Sequence, residues 1–171
     1  MSGAALHVWR AGEDYVADWG EGPHACAVGR GGIGEKHNEG DGITPAGLWP
    51  LRRVYYRPDR VAARDIAWPA QALAPHDGWC DAPGDSNYNR LVKLPYSASA
   101  ENLWRDDRLY DVIVTIGYND APVMPGKGSA LFVHVARDDY APTEGCVALA
   151  REDLLRALAR LSPQALLDVH P

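Results

Sequence analysis

At 171 residues, with 46% hydrophobic and 23% charged side chains, the chain has the length of one domain and the composition of a globular protein. No apolar run approaches the roughly 18 residues that cross a bilayer, which argues against a membrane span. The net charge of −6 opposes a polyanionic partner, so nucleic acid is not expected.

The first ten residues carry no basic segment followed by an apolar run and a small-residue cleavage site, so no export signal is read there. Thirteen prolines and seventeen glycines then cut the chain into brief segments, which predicts a mainly β protein with short helices. In chain order, strands are expected over Leu6–Trp9, Tyr15–Trp19, Ala25–Val28 and Leu48–Tyr56, where β-branched and aromatic side chains suit a pleated surface. Thr44-Pro45-Ala-Gly47, just before the last of these, reads as a turn. From about Pro69 to Arg108 the composition is rich in Asp, Asn, Pro and Gly. It predicts a long irregular region with one short helix around Ala98–Trp104, and such long loops are more often functional than idle. Further strands are expected over Tyr110–Ile116, Leu131–Ala136 and Ala165–Val169. Between the last two, Leu154, Leu155, Leu158 and Leu161 share one face of a helix running from about Arg151 to Leu161. Glu152 and Asp153 suit its N-terminal end, and Ser162-Pro163 stops it. No repeat or linker interrupts this order, so residues 1–171 are expected to form a single domain.

The three cysteines, Cys26, Cys80 and Cys146, form no CxxC, and the six histidines include no HExxH. No metal site is therefore expected. Cys26 and Cys80 could pair, which would leave Cys146 free, but sequence does not establish that bond.

The most specific chemistry lies between His134 and Cys146, with eleven residues between them. Leu131-Phe-Val-His-Val delivers His134 near the end of a strand, and the loop that follows turns back toward Thr143-Glu-Gly-Cys, so the two side chains can meet. A thiol attacks as thiolate, which makes Cys146 a candidate nucleophile and His134 its base. An activated thiol of this kind is expected to react well below pH 8. Gly145 gives the backbone freedom, and the amides of Gly145 and Cys146 are candidate donors to an oxyanion. The alternative is a buried cysteine beside an ordinary core histidine.

The stretch from His134 to Thr-Glu-Gly-Cys-Val resembles the His…Ser/Thr-x-Gly-Cys-Val/Ile signature of YkuD-type L,D-transpeptidases. Upstream, Gly40-Asp-Gly-Ile-Thr-Pro-Ala-Gly-Leu-Trp-Pro-Leu51 is similar to the family's Gly-x-Thr-Pro-x-Gly-x-Phe-x-Leu segment. Blocks at Asp77–Cys80, Tyr88-Asn89, Gly117–Asp120 and Gly128–Phe132 resemble a divergent branch, so the likeness spans roughly residues 25 to 155. It implies a β-sandwich with short helices, a cysteine acyl-enzyme, peptidoglycan stem peptides as partners, covalent inhibition by carbapenem-type β-lactams, a periplasmic or cell-envelope location, and no cofactor. It also implies that the histidine is oriented by a backbone carbonyl near its own position, which directs attention to Val135. Two departures stand out: Glu144 replaces the usual His before Gly-Cys, and Ala148 replaces the usual Arg two residues after the cysteine. That second change leaves 3-3 and 1-3 cross-links both open. Thioester hydrolysis would make the enzyme an L,D-carboxypeptidase, and loss of a reactive thiol would leave a silent wall-binding module.

Further candidates for substrate contact are Thr143 and Glu144 beside the thiol, Tyr118 and Asn119 after a strand, Trp79 in the long region, and Lys36 as a loop cation. Each has an ordinary structural alternative: turn chemistry for Asn119, a loop anchor for Trp79 and a solvated charge for Lys36 or Glu144.

Overall fold

A computed structural model describes residues 5–171. The first four, part of the stretch read for an export signal, lie outside the described residues. The fold is mainly β, as expected. β1 (Ala5–Ala11), β2 (Asp14–Asp18) and β3 (His24–Ala27) form an antiparallel run, and the long β6 (Gly47–Tyr56), with β7 (Ala70–Ala72) on its edge, follows two brief strands, β4 (Ile33–Gly34) and β5 (Thr44–Pro45). β8 (Asp77–Cys80), β9 (Leu91–Lys93) and β10 (Ala100–Asn102) make a separate three-stranded sheet in the order β10-β8-β9. β11 (Val112–Ile116), β12 (Phe132–Val135), β13 (Val147–Leu149), α1 (Arg151–Arg160) and β14 (Leu166–Val169) complete the chain.

The main sheet runs β11-β12-β13-β3-β2-β1-β14-β6-β7, and β6 also pairs with β11. The first half of β6 pairs with β14 and its second half with β11, so the layers of the expected sandwich are one sheet that closes on itself. Closure explains why β11 and β12 are buried at every residue: one face looks into the barrel and the other lies under neighbouring segments. Val112, Val114, Val133, Val147 and Leu149 meet Leu154, Ala157 and Leu158 of α1 in the larger core. A smaller cluster of Tyr55, Leu103, Tyr110, Phe132 and Cys146 lies under the three-stranded sheet. Burying such side chains contributes about 1.5–3 kcal/mol each, the dominant favourable term for these elements.

Two expectations are corrected. The helix predicted around Ala98–Trp104 is β10, whose Ala100–Asn102 pairs with Cys80, Trp79 and Gly78 of β8. Partnering by β8 satisfies the backbone where a seven-residue helix would have been marginal. Thr44-Pro45 is likewise a strand rather than a turn, pairing with Ile33-Gly34, although Gly47 does take a positive φ of 136°. Cys26 and Cys80 are both buried and unpaired, one in the main sheet and one in the small sheet, so the possible disulfide is not formed.

Candidate active site

β12 and β13 run parallel and adjacent, with His134 opposite Ala148, and this register brings the end of the Thr143–Cys146 loop beside the imidazole strand. His134 and Cys146 line one cleft of about 500 Å³, together with Tyr110, Ala130, Thr143 and Glu144. The spacing of eleven residues therefore does deliver both side chains to a common cavity.

The loop is held from both sides. Thr143 Oγ1 donates to the carbonyl of Cys146 at 2.6 Å and accepts from Gly145 N–H at 3.1 Å. Its backbone bonds to Val28 and Arg30 across a bridge to Gly29. Gly145 has φ +140°, and a Cβ there would lie 2.8 Å from Leu131 Cδ2 and 3.0 Å from Ile43 O, so the position admits only glycine without strain. Thr44, 1% exposed, accepts from Gly29 N–H and donates to Gly145 C=O, both at 2.8 Å. One buried hydroxyl thus joins the Thr-Pro segment to the cysteine loop, a role the turn reading of that segment did not foresee.

The Cys146 thiol donates to Ala130 C=O at 3.2 Å and accepts from Phe132 N–H at 3.3 Å. Ala130 takes φ +52° and is fixed by Asn89, whose Oδ1 accepts from Ala130 N–H while its Nδ2 donates to Asn119 C=O. Among the described residues Cys146 N–H donates to no protein group, whereas Gly145 N–H is committed to Thr143. Of the two amides proposed as oxyanion donors, only that of Cys146 is left to serve.

His134 Nδ1 donates to Val135 C=O at 2.8 Å. A carbonyl only accepts, so Nδ1 carries the hydrogen and Nε2 keeps its lone pair, the tautomer a base needs. Tyr110 packs edge-on against the imidazole, 5.3 Å between centroids, and donates its hydroxyl to Glu101 at 2.5 Å. Burial holds His134 down at about 4, helped by the Arg105 and Arg137 cations and opposed by the bond to Val135. Burial pushes the Cys146 thiol up to about 12, against the Phe132 N–H that favours its thiolate. The resting pair is therefore a neutral thiol and a neutral imidazole. This corrects the expectation of a cysteine already ionised by its neighbour: desolvation outweighs the Phe132 N–H and the Lys36 charge.

The other predicted contacts divide. Thr143 and Glu144 line the cleft, though Glu144 is exposed and paired with Arg30 at 2.9 Å, away from any contact with His134. Lys36 also lines it, but as a buried ion pair rather than a solvated charge: its side chain is 2% exposed, 2.5 Å from Asp41. Burial raises the Asp41 carboxyl, yet Lys36 and the N–H groups of Ile43, Asn38 and His37 outweigh it and hold the group well below the usual range. Trp79 and Tyr118 line a second cavity of about 470 Å³ instead. Trp79 is anchored by Asn89 at 2.9 Å and by Phe132 edge-on; Tyr118 donates to Lys127 C=O. Asn119 spends its side chain on Met124 and Gly128, holding its own loop at φ +49°. Tyr118 and Asn119 brace the walls because the 117–130 segment folds its polar side chains inward on itself, and Trp79 because Asn89 and Phe132 hold it.

A family model for the L,D-transpeptidase catalytic domain, YkuD, matches residues 3–169. The chain belongs to the YkuD family. No curated protein and no solved structure matches it. Membership makes this an L,D-transpeptidase-type domain of a family that acts on peptidoglycan, generally in the cell envelope. No helix among the described residues is long and apolar enough to cross a membrane.

Proposed function

We propose that the protein is a peptidoglycan L,D-transpeptidase working through a Cys146 thioester, in one domain, on stem peptides in the periplasm or cell envelope. The observation that carries this reading is the shared cleft, in which His134 is held by Val135 C=O in the tautomer that leaves Nε2 free while Cys146 lines the same cavity. Because both groups rest neutral, proton transfer and attack are coupled. As a stem-peptide carbonyl approaches Cys146, the thiol proton leaves Ala130 C=O for His134 Nε2 and sulfur bonds to carbon. Phe132 N–H and the Lys36 charge favour the developing thiolate. The oxyanion accepts from Cys146 N–H, which donates to no protein group among the described residues.

Imidazolium then protonates the departing amine, leaving the thioester. An acceptor amine, the side-chain amine of a second stem, attacks that thioester while Nε2 takes its proton, and the new amide is the cross-link. Thr143 and Gly145 fix the loop geometry, and no metal or cofactor enters any step. Ala148 leaves the cleft without an arginine two residues past the cysteine, so 3-3 and 1-3 bonds are both compatible with the site.

The test is incubation of the protein with purified stem peptides, with and without an acceptor amine, followed by mass analysis. Cross-linked dimers made by the wild type and not by Cys146→Ala support the reading, and fragmentation assigns the bond. Hydrolysis alone replaces it with an L,D-carboxypeptidase. No product of either kind leaves a wall-binding module and overturns the enzyme.

A further inference from the structure

We propose that His7, Asp168 and His170 bind one divalent transition-metal ion of the zinc type at the seam between β1 and β14. His7 stands directly opposite Asp168 in the parallel β1–β14 pairing, and His170 follows two residues later, so the pleat puts all three on one face. His7 Nδ1 and His170 Nε2 each lie 3.0 Å from the same oxygen, Asp168 Oδ2, and the three ligand atoms fall within 4.8 Å of one another. Two donors about 2.1 Å from a tetrahedral zinc are about 3.4 Å apart, so small rotations suffice for all three to reach one ion. The imidazoles are nearly parallel, 13° between planes, and about half exposed, which leaves them room to turn and leaves a coordination position open to water.

Charge points the same way. Asp168 has no lysine or arginine partner among the described residues; its only ion-pair contacts are the two histidines. Imidazole nitrogen and one carboxylate suit zinc, copper or nickel and not magnesium or calcium, which take oxygen. His24 and Asp153, 3.5 Å apart, form a pair without a third ligand and make no comparable site. The position also gives the ion a consequence. β1 is the first strand of the barrel and β14 the last, and their seam is separated from β12 by β2, β3 and β13 on one side and by β6 and β11 on the other. An ion there ties the two ends of the described chain together, away from the cysteine cleft, and the inference is independent of the peptidoglycan reading.

The experiment is calorimetric titration of the whole protein with zinc chloride, alongside thermal melts, for the wild type, His7→Ala, Asp168→Asn and His170→Ala. The wild type is expected to bind zinc at this site with micromolar affinity and to melt higher in its presence. Each variant should lose one ion per chain, or at least tenfold in affinity, while keeping the wild-type circular dichroism in zinc-free buffer. Magnesium should do nothing to any of them. Zinc bound only at the cysteines would survive all three substitutions, and that result, or no binding at 100 μM zinc, would overturn the proposal.

Discussion

Thr44→Val removes one oxygen and nearly nothing else, yet it should disconnect the cysteine loop. Valine keeps the shape of threonine, so the change isolates the two 2.8 Å hydrogen bonds that the hydroxyl makes with Gly29 N–H and Gly145 C=O. Both backbone groups are then left without their buried partner, at a cost of about 1–3 kcal/mol each. A total near 4 kcal/mol, at roughly 2–4 °C per kcal/mol for a chain of this size, lowers the melting temperature by about 8–16 °C. Thr44→Ser keeps the hydroxyl and removes only a buried methyl, so it should cost about 1 kcal/mol. The assay is a thermal melt by circular dichroism on both variants, paired with stem-peptide turnover at a temperature where each is folded. Turnover should fall steeply for the valine variant and little for the serine one. If Thr44→Val melted within about 3 °C of wild type, the hydroxyl would not be the joint between the two segments and the reasoning would fail.

Gly145→Ala should cost about 2–4 kcal/mol and most of the activity, because the new methyl group meets Leu131 and the Ile43 carbonyl at a φ of +140°; urea midpoints measure it. Iodoacetamide should label Cys146 of the substrate-free protein slowly at pH 8, with a rate that climbs about tenfold per pH unit and does not level off below about pH 11, since burial keeps the thiol protonated to about 12; peptide mapping against pH reads this out. Stability should also follow pH. His134 sits at about 4 in the folded protein, below the ordinary 6.5, so the unfolded chain takes up its proton first. The resulting stability, about 3 kcal/mol, is intact above pH 6.5 and lost as pH falls toward 4. Cys146 and Cys26, both raised to about 12, act in the opposite sense: stability declines as pH rises from about 9 toward 12. Denaturant titrations from pH 4 to 11 should therefore show a plateau between the two slopes.

Sequence reading worked where the signal is local. β6, β11 and β14 were legible from their apolar and β-branched residues, α1 from leucines that recur on one face, and the His134–Cys146 pair because eleven residues and a loop allow few other geometries. The small sheet was not legible: β8, β9 and β10 have four, three and three residues, too short for a period to emerge, and exist because distant segments pair. Thr44 was hidden for a related reason, since it acts on backbone atoms of Gly29 and of Gly145, 101 positions away. Asn89 likewise works through main-chain groups of Asn119 and Ala130 that no pattern announces. The burial of Lys36 was not legible, because the Asp41 loop folds around the charge rather than presenting it. The state of the thiol could not be read at all, because desolvation belongs to the packed cleft and not to the motif.

Intact-mass spectrometry of the protein mixed with a stem-peptide donor, or with a carbapenem, tests the central claim most directly. The account predicts one covalent adduct per chain, mapped to Cys146 by digestion and missing from Cys146→Ala. An adduct on another residue, or full turnover by the Cys146→Ala protein, would contradict it.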